Sequence, residues 1–400
     1  MMPIPTPFHS RSSAYSISHE WSNWSGYLSA VTYEAHHERE YFAIRNSAGL
    51  IDVTPLYKYE VTGPDATRVV DRIMTRDITK CQVGQVMYSP WCDEDGYVID
   101  DGTISRLADN HFRITSADPS LRWFQDCGFG LDAEVVDVSD LLAALALQGP
   151  QSRNILNQIV STDNVDNLRY YHLNQSLAGG IPLTITRTGF TGDLGYELWV
   201  EPQYAEQLWD RLIEVGNDYG LLPSGLAALD ISRIEAGLLL IDVDYISSQK
   251  AIIAEQKSYP QDIGLGWAVK FGENDFIGRR KLEEVDRDGS KWQFVGIEID
   301  WVDLERLYAE ANLPPQVSGR AVRDPVPIYK EKTQIGQATS ITFSPILKKY
   351  IALGTILREH ASSGSQISVE ITVEYTREMA SAKIVSPQFY NPKRKKALVG

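Results

Sequence analysis

Four hundred residues, 43% of them hydrophobic and 23% charged, are more than one hydrophobic core serves, so the chain reads as two or three soluble globular domains. A net charge of −15 argues against nucleic acid or an anionic membrane surface as the main partner, while a small anion could still be held by a local Arg/Lys pocket. Three cysteines without CxxC spacing (Cys81, Cys92, Cys127) fit free thiols in a reducing cytoplasm and offer no zinc or iron–sulfur frame.

The opening Met-Met-Pro-Ile-Pro-Thr-Pro has no basic-then-apolar pattern and does not read as a signal peptide. Residues 1–30 lack periodicity and read as an irregular arm. A helix is expected over Glu34–Ala48, then a strand at Leu50–Val53. His36-His37 point in different directions on any regular element, so no metal pair is expected.

Two stretches share one grammar. Val61–Ile73 and Leu147–Ile159 each read as strand, Gly-Pro turn and helix, with apolar pairs at matching offsets (Val69-Val70, Ile155-Leu156). They are either two copies of one unit or two ordinary Gly-Pro helix starts. Between them a meander is expected: Gln85–Ser89, Tyr97–Ile99, Thr103–Leu107 and His111–Thr115. The apolar run Leu141–Leu147 is too short to span a bilayer. Helices follow at Tyr204–Tyr219 and Ser224–Leu239. Beyond residue 285 strand patterns dominate, with strict alternation over Ile367–Tyr375, and residues 292–392 read as an all-β barrel or sandwich. The basic tail Pro392–Lys396 reads by default as solvated.

Three segments could carry chemistry. In Arg187–Glu197, glycines 189, 192 and 195 lie between two strands, so a phosphate cradle, which needs a helix after the glycines, does not fit. The loop either presents Glu197 as a two-point acceptor to a flat, nitrogen-rich ligand or simply turns. Asp100-Asp101 reads as a strand start with one carboxylate inward and one to solvent, either a turn feature or a group able to orient a ligand amine or take its proton. Tyr88, thirteen residues earlier, could share a pocket with Asp101. Arg233 and Glu235 read as a solvated pair. With no Ser-His-Asp, Cys-His, P-loop, Rossmann or HExxH pattern, the chemistry points to a bound cofactor.

An ordered set of motifs resembles the folate-dependent aminomethyltransferase family, that is, the glycine cleavage T-protein and its demethylase relatives. The set is Arg45–Val53, Gly96–Asp101, Gly189–Glu197, Asp230–Gly237, Gly266–Lys270 and Phe276–Arg279, with order and spacing held over residues 35–390. The resemblance implies an α+β fold, a three-domain cloverleaf ring around a channel for tetrahydrofolate, divided here as 1–145 (open to being discontinuous), 146–285 and the all-β 292–392. It implies Asp101 as the catalytic carboxylate and Glu197 at the pterin edge. Tyr88 and Phe190 would line the ring site, with Trp267 beside them and Arg233 among the cofactor-binding residues.

The sequence also departs from the family pattern. Leu229, Ala117, Leu56-Tyr57 and Ile241 stand where the family usually has Arg, Asn, His-Met and Tyr. Polar-pocket hydrogen bonds of this kind are worth about 1–3 kcal/mol each where charge is involved. The departures favour a tetrahydrofolate-dependent demethylase acting on a small N-, O- or S-methylated compound. The alternatives are the T-protein itself, with a lipoyl carrier protein as partner, or a non-catalytic folate-binding subunit of an oxidase.

Overall fold

A computed structural model describes residues 2–160, 165–272 and 274–398. Residues 4–32 form a small three-stranded sheet, with Tyr27–Thr32 between Ile4–Pro5 and Glu20–Trp24, where sequence reading expects an irregular arm. Short strands rich in Ser, Asn and Trp lack the apolar alternation that reveals a strand.

A six-stranded sheet has the order Leu173–Ala178, Ile181–Thr186, Gly195–Val200, Ala143–Gln148, Ala48–Asp52, Leu221–Pro223. A five-stranded sheet runs Val86–Cys92, Val98–Ala108, His111–Ser116, Tyr57–Thr62, Glu134–Asp137. The third body is a closed six-stranded barrel over Trp292–Val385, so of the two all-β readings the barrel stands. A division at 145/146 falls inside strand Ala143–Gln148, which pairs with both Ala48–Asp52 and Gly195–Val200. The six-stranded sheet therefore takes strands from both sides of that division, Ala48–Asp52 before it and Gly195–Val200 and Leu221–Pro223 after it.

The two shared-grammar stretches adopt the same structure. Strands Tyr57–Thr62 and Ala143–Gln148 each lead through a positive-φ glycine (Gly63, 116°; Gly149, 127°) into the eight-residue helices Ala66–Ile73 and Ser152–Ile159. In both, every i, i+3, i+4 apolar position is buried.

The expected pair Tyr97–Ile99 and Thr103–Leu107 is instead one eleven-residue strand, Val98–Ala108. Gly102, which suggests a break, is needed for close approach: a Cβ there would lie 1.9 Å from the Thr115 carbonyl oxygen.

Helix Leu226–Ala236 buries every residue from Ala227 onward, including Arg233 and Glu235. The solvated-pair reading is thus corrected: the helix lies between the six-stranded sheet and the barrel, with no wet face. Glu235 accepts from Tyr41 Oη (2.5 Å), Arg45 Nη2 (2.6 Å) and the barrel's Ser344 Oγ (2.5 Å). One apolar cluster ties three bodies together, joining Cys92 and Val98 of the five-stranded sheet to Ile234 and Tyr245 and to Phe294, Ile351 and Leu353 of the barrel.

The basic tail is docked. Arg394 forms a fork on Asp193 (2.7 and 2.8 Å), and the buried Arg187 guanidinium donates to the carbonyls of Leu168, Lys395 and Ala397. Its density of Lys and Arg hides this, because the tail docks through one arginine on a distant carboxylate and through backbone carbonyls that the sequence pattern does not show. No helix of the described residues is long and apolar enough to cross a membrane.

Candidate active site

Strand alternation turns Asp100 and Asp101 to opposite sides, but neither side is bulk solvent. Asp100 is fully buried: its carboxylate accepts from the backbone N–H of Asp101 (2.7 Å), Ala117 (3.2 Å) and Asp118 (3.0 Å). Asp101 keeps partial exposure and is held by two phenols. Tyr88 Oη donates at 2.7 Å from the neighbouring strand, and Tyr245 Oη donates to the other oxygen from the loop after helix Leu226–Ala236. Tyr245 also reaches Asp100 at 3.4 Å. The expectation of one solvated carboxylate is therefore corrected; sequence spacing alone could not show that Tyr245, 144 residues away, covers the site.

Burial raises the proton affinity of both carboxyls, opposed at Asp101 by the two phenolic hydrogen bonds, and Asp100 is pushed well up with the Asp101 charge as second cause. The Tyr88 and Tyr245 hydroxyls are also pushed well above the usual tyrosine range, burial first and the Asp101 charge next, and both remain donors.

Strand Gly195–Val200 pairs Glu197 with Thr186 on one side and Ala146 on the other. Glu197 Oε2 accepts from Thr188 Oγ1 (2.7 Å) and Thr186 Oγ1 (3.3 Å), and Oε1 has no partner among the described residues. Burial raises this carboxyl too, with the threonine hydrogen bonds opposing. The glycines of the hairpin pack against protein: a Cβ at Gly189 or Gly195 would sit 2.1 or 2.2 Å from the Gln148 amide oxygen, and Gly192 takes φ 75° against Ala236. Half-buried Phe190 packs, with Leu56, Trp24 and Leu226, on a cluster that includes Ala146 and Leu229.

Tyr171 stands within electrostatic reach of Glu197, of Arg76 and of Tyr88, and its φ of 60° is rare for a bulky residue. Trp267, 53% exposed, lies nearly parallel to Tyr88 (19°, centroids 6.1 Å apart), and the Arg76 guanidinium lies 5.6 Å from the Trp267 ring centre. Asp101, Tyr88 and Trp267 are thus joined by direct contacts, while Glu197 pairs with Ala146 of the cluster on which Phe190 packs. Arg233 is not with them: it is buried and held by Asp230 (2.7 Å), Asp244 (2.5 Å) and the barrel's Ser340 (2.8 Å). Sequence reasoning missed Tyr171, Tyr245 and Arg76; only Arg76 lay near a quoted motif, and nothing in its spacing marked it.

The departures from the family pattern sort by location. Leu56 and Leu229 border Phe190, whereas Ala117 and Ile241 pack beside Tyr88 and Tyr245. All four positions are apolar wall.

The fold and the two halves of the chain have known relatives. A model of the GCVT N-terminal domain matches residues 9–273, and one of the glycine cleavage T-protein C-terminal barrel domain matches residues 314–391. The chain is 34% identical over 358 residues to an aminomethyltransferase of Halothermothrix orenii, covering 88% of this chain and 90% of that one. It is 32% identical over 358 residues to an aminomethyltransferase of Bacillus cytotoxicus, with coverage of 88% and 89%. The crystal structure of the glycine cleavage system aminomethyltransferase T from Bartonella henselae shares the fold, with a TM-score of 0.81, 22% identity and coverage of 97% and 98%. The chain belongs to the folate-dependent aminomethyltransferase family. It has the three-domain T-protein architecture and is a one-carbon transferase.

Proposed function

We propose that the chain is an aminomethyltransferase of the glycine-cleavage type. It would move the methylene carbon of an aminomethyl group, carried on a lipoyl thiol of a partner protein, to tetrahydrofolate, with release of ammonia and the free thiol. What supports this reading is a pair of partly buried carboxyls at the family's motif positions, each held by side-chain hydroxyls: Asp101 between two phenols, and Glu197 on two threonines with its Oε1 unpaired among the described residues.

The residues fit a flat, nitrogen-rich ligand. Glu197 Oε1 is placed to accept from a ring or amino N–H, and Tyr88, Tyr171 and Trp267 offer aromatic surface. Tetrahydrofolate, when bound, supplies the two nitrogens that take the carbon. Asp101 then orients an N–H of the acceptor and holds its proton, its phenol partners fixing the carboxylate plane. The hydrophobic walls exclude water from the transfer, and holding both reactants in line contributes several kcal/mol of the barrier reduction. The proposal keeps Tyr88, Phe190 and Trp267 as ring-site residues and gives Arg233 a different role, locking the helix to the barrel.

One observation favours a second reading. Four positions usually polar in the family are apolar here and flank Phe190 and the two phenols, which suits a methylated donor without a charged amine. Mass analysis of the recovered folate separates the two: a 5,10-methylene product supports the aminomethyl reading, and a 5-methyl product the demethylase. Unchanged folate with every donor would leave neither standing.

A further inference from the structure

Arg76 follows helix Ala66–Ile73 on a backbone pinned from two sides. Thr75 N–H donates to the Pro90 carbonyl (3.3 Å), the Thr75 carbonyl accepts from Lys270 N–H (2.9 Å), and Arg76 N–H reaches Ser89 Oγ (3.3 Å). The side chain is therefore delivered between strand Val86–Cys92 and the Trp267 segment. There its only hydrogen bond among the described residues is a long one, Nη1 to the Tyr88 carbonyl at 3.4 Å, and its guanidinium faces the Trp267 ring. No described carboxylate pairs with it. The fully buried arginines spend their donors inside the protein: Arg45 pairs with Glu235, Arg233 with Asp230 and Asp244, and Arg187 donates to three backbone carbonyls. In a chain of net charge −15, a half-buried guanidinium with most of its five donors unused, set beside the Tyr88 strand that holds Asp101, is an open position for an anion.

We propose that Arg76, backed by Trp267, is the carboxylate-binding arm of the one-carbon site. The planar fork matches a carboxylate in two-point fashion, and stacking on the indole holds the fork in place. The ligand is either the glutamate end of tetrahydrofolate or a carboxylate on the carbon donor. The inference rests on the proposed tetrahydrofolate reading.

The test measures binding rather than turnover. The wild-type chain, Arg76→Met and Arg76→Lys are titrated with tetrahydrofolate and with tetrahydropteroate, which has the same ring without glutamate, following tryptophan fluorescence. N,N-dimethylglycine is then titrated in the presence of tetrahydrofolate. If the glutamate is held, the wild type prefers tetrahydrofolate to tetrahydropteroate by about tenfold and Arg76→Met erases the preference, with Arg76→Lys between. If the donor is held, tetrahydrofolate affinity is unchanged and dimethylglycine binding falls about tenfold in Arg76→Met. Arg76→Gln replaces Arg76→Met should the latter not fold. Affinities within twofold of wild type for all three probes overturn the arm and leave the folate reading intact. Failure of the wild type to bind tetrahydrofolate overturns both.

Discussion

Asp101 is pulled two ways: burial raises its proton affinity, and the hydroxyls of Tyr88 and Tyr245 lower it. If its carboxylate form is the working one, activity is lost as pH falls through a value above the ordinary carboxylate range. Tyr88→Phe or Tyr245→Phe, each removing a donor to the charged form, should move that acid limb to higher pH; a pH–rate profile with an unmoved limb would separate the phenols from the Asp101 charge. Asp101→Asn should cut turnover at least a hundredfold, as loss of acid–base work does. It should also raise the melting temperature at neutral pH. A carboxyl whose proton affinity rises on folding holds its proton more tightly folded than unfolded, so stability falls as pH climbs from the ordinary carboxylate range through the folded value. The gain should vanish below about pH 3.5, where both states are protonated, and thermal melts across pH check the sign. Glu197→Gln turns an acceptor into a mixed donor–acceptor and should weaken tetrahydrofolate about tenfold by equilibrium titration, or about 1.4 kcal/mol.

At the scale of elements, what could be read from sequence was periodicity and punctuation. The helix end at Gly220 was legible because that glycine takes a left-handed cap at φ 69°, whereas the helix expected to run to Leu239 stops at Ala236, where Gly237 turns left-handed at φ 70°. The strand alternation over residues 367–375 was legible because one barrel face is buried and one is wet. Gly102 misled because a glycine inside a strand looks like a break, while here it admits the Thr115 carbonyl. Gly102→Ala should therefore destabilise the five-stranded sheet by about 1–3 kcal/mol or more, read by urea unfolding. Arg233 and Glu235 misled because burial on all sides leaves a helix no amphipathic stripe to read. Arg45→Met would leave Glu235 buried without its guanidinium, an expected loss of about 3–5 kcal/mol in the same assay.

For the whole molecule, the site is assembled from segments far apart in the chain. Asp101 lies on the five-stranded sheet, Glu197 on the six-stranded one and Tyr245 in the loop leading from the helix locked to the barrel. The ordered motifs pointed to the two carboxylates proposed for the site, since each sits in a local turn-and-strand pattern. Tyr171, Tyr245 and Arg76 stayed hidden because their partners are distant and only the tertiary fold brings them together. The C-terminal tail shows the same coupling: deleting residues 393–398 would take carbonyl acceptors from Arg187 and the Arg394 fork from Asp193, both in the loop that carries Glu197. The truncated chain should melt at lower temperature and bind tetrahydrofolate more weakly, whereas an unchanged melt would show the tail to be dispensable.

The most direct test of the Asp101-centred transfer is mass spectrometry of the folate recovered after tetrahydrofolate is incubated with an aminomethyl-loaded lipoyl carrier and either wild type or Asp101→Asn. The wild type should yield 5,10-methylenetetrahydrofolate and an equal amount of ammonia, and the variant next to none. Unchanged folate with the wild type, or equal product from both proteins, would contradict the Asp101-centred transfer.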